Sequence, residues 1–163
     1  MSKFKEALDS GKFVVTVELK PPKGVNTAPF LKTVDALAKK VDALNVPDNR
    51  SASMALGPLP ASLLVKERGG EPICTFTCRD RNRMAISSDV LGAYALGIEN
   101  ILLVSGDYFT FGDTFQAKRL FWRRIRFFRH LNSLYRIFTD WELQQNWLKI
   151  SRNMTETTGC GVW

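Results

Sequence analysis

Between residues 13 and 104, short apolar runs alternate with segments whose apolar residues recur at helical spacing, and this rhythm leaves few folds open. FVVTVEL (13–19) is β-branched and too short for a helix, PPKG turns the chain, and FLKTVDALAKKV (30–41) has helical periodicity. The cycle then repeats. DALNV (42–46) reads as a strand, PLPASLLVKERGG (58–70) as a helix closed by glycines and PICTFTC (72–78) as a strand. SSDVLGAYALGI (87–98) reads as a helix capped by Ser87 or Ser88, and NILLVSGD (100–107) as a fourth strand and turn. Strands separated by helices pair in parallel through right-handed crossovers, so the pattern predicts an α/β sheet or barrel with sequential strands and helices on one side.

Composition narrows the function classes. A chain of 163 residues with 45% hydrophobic content can build the core of one domain. No run approaches the roughly 18 to 20 apolar residues that span a bilayer, and MSKFKEALDSGK is polar and amphipathic rather than a signal peptide; a cytoplasmic location is expected. Cys74, Cys78 and Cys160 make no disulfide framework. The net charge of +7 would suggest a polyanionic partner, but residues 1–118 hold 15 Lys and Arg against 13 Asp and Glu, and residues 119–163 hold 8 against 3. The basic excess therefore lies in the tail. That tail also contains all four tryptophans and the single histidine, and seven of its eight basic residues are Arg.

Several polar residues fall at strand ends, where parallel α/β folds build their sites. Glu18 ends the first strand. A carboxyl in that place can be partly desolvated and so deliver a proton near neutrality, or it can be an ordinary solvated or ion-paired acid. Thr75 and Thr77 share one face of the third strand, and Arg79 and Asp80 follow in a loop that could meet a ligand or simply carry a surface ion pair. Ser105, Gly106 and Asp107 follow the fourth strand; the glycine lets a flat ligand approach the backbone, although Gly-Asp is also common turn chemistry. Cys74 and Cys78 lack the further ligands of a zinc site and read as buried thiols, so no metal is expected. His130 has no evident nucleophile or acid beside it.

Taken in order and spacing, VTVELKPPKG, DALNVPDN, TFTCRDRNRMAISSDVLGAYALGIENILLVSGD and FGDTFQAK resemble the start of the bacterial methylenetetrahydrofolate reductases, over about residues 10–118. The resemblance implies the first four units of a (βα)8 TIM barrel that holds FAD at its C-terminal face. It implies reduction of 5,10-methylenetetrahydrofolate to 5-methyltetrahydrofolate, a step of one-carbon metabolism and methionine biosynthesis, with NAD(P)H as hydride donor. It further implies catalytic roles for Glu18, the acid that opens the folate's bridging ring, and Asp107, the acid beside flavin and pterin. Thr75, Ser105, Gly106 and Asp107 would contact the flavin, and residues 45–49 would form the flavin-side loop of the second strand.

The family pattern stops at Lys118, where four more strands should follow. Residues 1–118 are therefore expected to be the N-terminal half of a barrel. Residues 119–163 are expected to be an atypical helical tail from a frameshifted or truncated reading frame, and the chain weakly active or inactive. One amphipathic helix carrying Phe121, Trp122, Ile125, Phe128 and Leu131 could cover part of the open sheet. Two other readings belong to different classes: a half-barrel that needs a partner subunit or second copy, or an anionic-surface binder acting through RRIRFFRHLNSLYRIF. The family resemblance favours a folate substrate over nucleic acid or membrane.

Overall fold

Strand formation follows the apolar runs, trimmed at their ends. The computed structural model describes residues 2–108, 112–113 and 136–138. Helix α1 (Lys3–Asp9) precedes β1 (Thr16–Glu18), α2 (Ala28–Leu37), β2 (Ala43–Val46), α3 (Pro58–Glu67), β3 (Pro72–Thr77), α4 (Arg83–Ala95) and β4 (Asn100–Val104). These four strands are parallel neighbours in sequential order. The first four βα units of a partial barrel are thus formed as expected. Helix α4 begins earlier than Ser87: Asn82 accepts from the Ala85 N–H as its cap, while the Ser87 hydroxyl donates to Arg83 O within the helix. Serine back-bonding to the preceding turn is compatible with a helix interior, and the asparagine supplies the stronger cap.

A fifth strand, β5 (Arg136–Phe138), pairs antiparallel with β4, opposite Leu103, Leu102 and Ile101. It covers an edge that four strands alone would leave open, and edges offer unpaired N–H and C=O groups that attract another strand. These three tail residues are strand rather than helix. The rest of the expected helical tail, with Phe121 to Leu131 and His130, lies outside the described residues.

Side chains sort by the period of two along each strand. One set, Val17, Leu19, Leu44 and Val46, packs against Phe30 and Val34 of α2 and Ala61 and Val65 of α3. Cys74, Phe76, Ile101 and Leu103 continue this layer against Ala93 and Ile98. Val34, Leu44, Val65, Phe76 and Ile101 are fully buried, each stabilising the fold by roughly 1.5–3 kcal/mol. On the opposite face, α1 places Phe4 against Ala43 and Ile73 at the start of the strands. Ser2 Oγ donates to Asn100 Oδ1 at 2.7 Å, and Asn100 Nδ2 donates to Glu71 Oε1 at 2.7 Å. These pairs tie the cap of α1 to the N-terminal ends of β3 and β4. No helix among the described residues is long and apolar enough to cross a membrane.

Candidate active site

Register brings the polar residues of the face opposite α2, α3 and α4 into one row. Glu18 pairs with Asn45 across β1 and β2, and Thr75 and Thr77 stand on the same face of β3. Thr75 is buried and donates its hydroxyl to Asn45 Oδ1 at 2.8 Å. Ser105, Gly106 and Asp107 follow β4, with Gly106 at φ +83°.

A short turn at Arg50–Ala52, after β2, closes over this row. Asn49, Ser51 and Ala52 all have left-handed backbone, at φ 43°, 56° and 54°. Such conformations cost roughly 1–2 kcal/mol per non-glycine residue, less for asparagine, and persist where the surroundings hold them. Here the holding contacts are visible. Arg50 Nη1 donates to Glu18 Oε1 at 2.6 Å, and the Ser51 N–H donates to Asp107 Oδ2 at 2.9 Å. Asn49 Oδ1 accepts from the Ala55 N–H at 3.1 Å. From the other side, Gly112 lies so near that a Cβ there would stand 2.0 Å from Ala52 O, and Lys23 pairs with Asp113 at 3.1 Å.

Beneath the row lies a charged layer. The Arg79 side chain is 2% exposed and grips both oxygens of Asp80, through Nε at 2.9 Å and Nη2 at 2.7 Å. Asp48, equally buried, accepts from the Thr77 N–H and hydroxyl at 2.8 Å each through Oδ2, which also takes a very short bond from Arg81. Its other oxygen, Oδ1, meets no donor among the described residues. Arg81 also reaches Asp89 at 2.7 Å and stacks over Phe76. Burial pushes the Asp80 carboxyl up, but the hydrogen bonds and charge of Arg79, helped by Asn49 and Thr77, outweigh it and hold the group below its ordinary value. Burial likewise works against the charged Arg81, and the charge of Asp48 with the bonds to Asp89 and Asp48 more than compensates.

The family model for methylenetetrahydrofolate reductase matches residues 3–139. The chain belongs to the methylenetetrahydrofolate reductase family. No curated protein and no solved structure matches it. The matched span begins before residue 10 and runs beyond Lys118, through β5. Membership of the methylenetetrahydrofolate reductase family points to oxidoreductase chemistry on a folate.

Within this family member, Glu18 ends β1, Thr75 lies inside β3 two residues before its end, and Ser105, Gly106 and Asp107 follow β4. Glu18 and Asp107 are linked through neighbouring residues of one turn, Arg50 and Ser51. Glu18 is more than a third exposed and ion-paired, not tucked into a desolvated pocket. Arg79 and Asp80 do form an ion pair, yet it is no surface pair, because the guanidinium is buried. Sequence reasoning missed Arg50 and Ser51, and placed Asp48 only within the flavin-side loop of residues 45–49. VPDNRSASM has no glycine to announce left-handed backbone, and nothing in the letters shows that Asp48 turns inward. A shallow depression lined by Ser2, Lys66, Glu71 and Glu99 lies at the opposite end of the strands, where Lys66 binds the carbonyls of Leu96 and Gly97.

Proposed function

We propose that the C-terminal face of β1–β4 is the first-half portion of a site that reduces methylenetetrahydrofolate, with FAD as resident cofactor and NAD(P)H as hydride donor. What carries the reading is the clustering of Glu18, Asn45, Thr75 and Asp107 on one face of a chain in this family. Their hydroxyl, amide and carboxylate groups suit the alternating donors and acceptors along the polar edge of an isoalloxazine or pterin ring. When bound, the flavin would supply the hydride relay between nicotinamide and folate.

This chain's residues then divide the remaining work. Thr75 and the Ser105–Gly106 backbone orient the ring system, and Asp107 accepts from ring N–H groups in the place where it now accepts from Ser51. Glu18, freed from Arg50 and protonated from solvent, passes that proton to the bridging nitrogen of the folate, whose bond to the methylene bridge carbon breaks as the ring opens. Arg50 now occupies Glu18 Oε1, so substrate entry has to displace it. Strands β1–β4 supply the contacts of four strands, and the 163-residue chain by itself is proposed to be weakly active at best; the alternative is a half-barrel that a partner chain completes.

The deciding experiment is to purify the 163-residue chain and titrate it with FAD. Weak, saturable binding that is lost in Asp107→Ala supports the reading. Absence of any flavin binding, alone or with a co-purifying partner chain, would sink it. Tight yellow retention with full nicotinamide oxidation in the presence of methylenetetrahydrofolate would overturn the proposed weak activity.

A further inference from the structure

A buried guanidinium is stable only where its N–H groups meet acceptors, so the acceptors that it reaches show what it holds in place. Arg79 reaches three loops. Its Nε and Nη2 grip Asp80 after β3, Nη2 also donates to Asn49 O after β2 at 3.2 Å, and Nη1 donates to Asp107 O after β4 at 3.2 Å. The turn after β4 rests directly on its stem: a Cβ added at Gly106 would lie 3.0 Å from Arg79 Cβ and 3.2 Å from Thr77 Cβ. Gly106 at φ +83° therefore meets two demands, backbone conformation and space.

We propose that Arg79 is a positioning residue, setting the separation between the turn that carries Ser51 and the turn that carries Asp107, and with it the orientation of the Asp107 carboxylate. The role in catalysis rests on the flavin and folate reading above, whereas the positioning itself does not. Lysine keeps a positive charge opposite Asp80 but lacks the planar fork that reaches both carbonyls. Arg79→Lys thus separates geometry from charge.

The Ser51 amide reports the separation, because it donates to Asp107 Oδ2. The test compares amide spectra of the isotopically labelled full chain, with Asp107→Ala marking the position of the Ser51 signal when that bond is lost. In Arg79→Lys the Ser51 signal is expected to move toward that position while the Phe76 amide, in the β3 core, stays in place. Gly106→Ala, which keeps the arginine but presses the same turn away from the Arg79 stem, is expected to shift Ser51 in the same way. FAD titration of Arg79→Lys is expected to show at least tenfold weaker binding. A Ser51 signal unmoved in both variants overturns the proposal, and so does an Arg79→Lys chain that fails to fold or whose Phe76 amide moves as far as Ser51, since Arg79 would then be a general stability element. If the parent chain binds no flavin, the proposed function fails, and the amide shifts still decide the positioning role.

Discussion

Arg50 reaches from the turn after β2 to place its guanidinium 2.6 Å from the carboxylate of Glu18. The next residue, Ser51, gives its backbone N–H to Asp107. Two acids, one ending β1 and one following β4, are therefore held by consecutive residues of one turn.

Glu18→Gln tests the proton-donor role directly. If residues 1–118 replace the corresponding segment of an active family member, the substitution is expected to reduce folate reduction by about 10²–10⁴, the usual contribution of a general acid. Reduction of the flavin by the nicotinamide should persist, because that half-reaction does not use this proton. Stopped-flow measurement of the two half-reactions checks this, and equal loss in both would make Glu18 structural.

Arg50→Ala should leave stability almost unchanged, since both partners of the Glu18 pair are more than a third exposed and such pairs contribute about 0–1 kcal/mol. Asp48→Ala should behave differently. It leaves the Thr77 N–H and hydroxyl without their buried acceptor and removes one of the two carboxylates that Arg81 holds. Breaking a buried pair from one side costs roughly 3–5 kcal/mol. Urea denaturation of the two variants against the parent chain compares them; equal midpoints would show that the charged layer is dispensable.

Acid should weaken the fold in a definite window. The Asp80 carboxyl is held below its ordinary 3.8 because Arg79 outweighs burial, Asp42 because Lys12 and the Val15 N–H bind it, and Asp113 because Ser53 and Lys23 do. Depressed carboxyls contribute stability that is fully present above the unfolded value and is lost as pH falls through the folded one. The urea midpoint is expected to be level in this respect above about pH 5 and to fall below about pH 4. Asp80→Asn should flatten part of that fall, and an unchanged slope would count against the Arg79 pairing.

The Cys74 thiol is pushed up to about 12, first by burial, with Ser62 acting in the opposite direction; burial raises Cys78 too. A raised thiol contributes stability that is present below its unfolded value and lost as pH rises toward the folded one. In a Cys160→Ser background, iodoacetamide at pH 8 should leave Cys74 unmodified in the folded chain and alkylate it readily in urea, because the thiolate is the nucleophile. Mass spectrometry of the peptides reads the outcome, and rapid native labelling of Cys74 would contradict its burial.

The order and direction of the four strands, and the end of the sheet where the polar residues gather, are legible in the amino-acid pattern. The reason is local: apolar runs of five to seven residues extend, intervening segments with helical spacing coil, and short connections then leave parallel pairing with one crossover hand. Period-two alternation also assigns Thr75 and Thr77 to one face. Tertiary structure alone decided the rest. The turn at residues 49–52 is held by contacts to Glu18, Asp107 and Gly112, up to 60 positions away in the chain, and no local preference of Ser or Ala dictates it. The inward turn of Asp48 and the burial of Arg79 likewise follow from where three separate loops converge. Whether a charged side chain is solvated or buried depends on what surrounds it in space, and sequence neighbours carry little of that information.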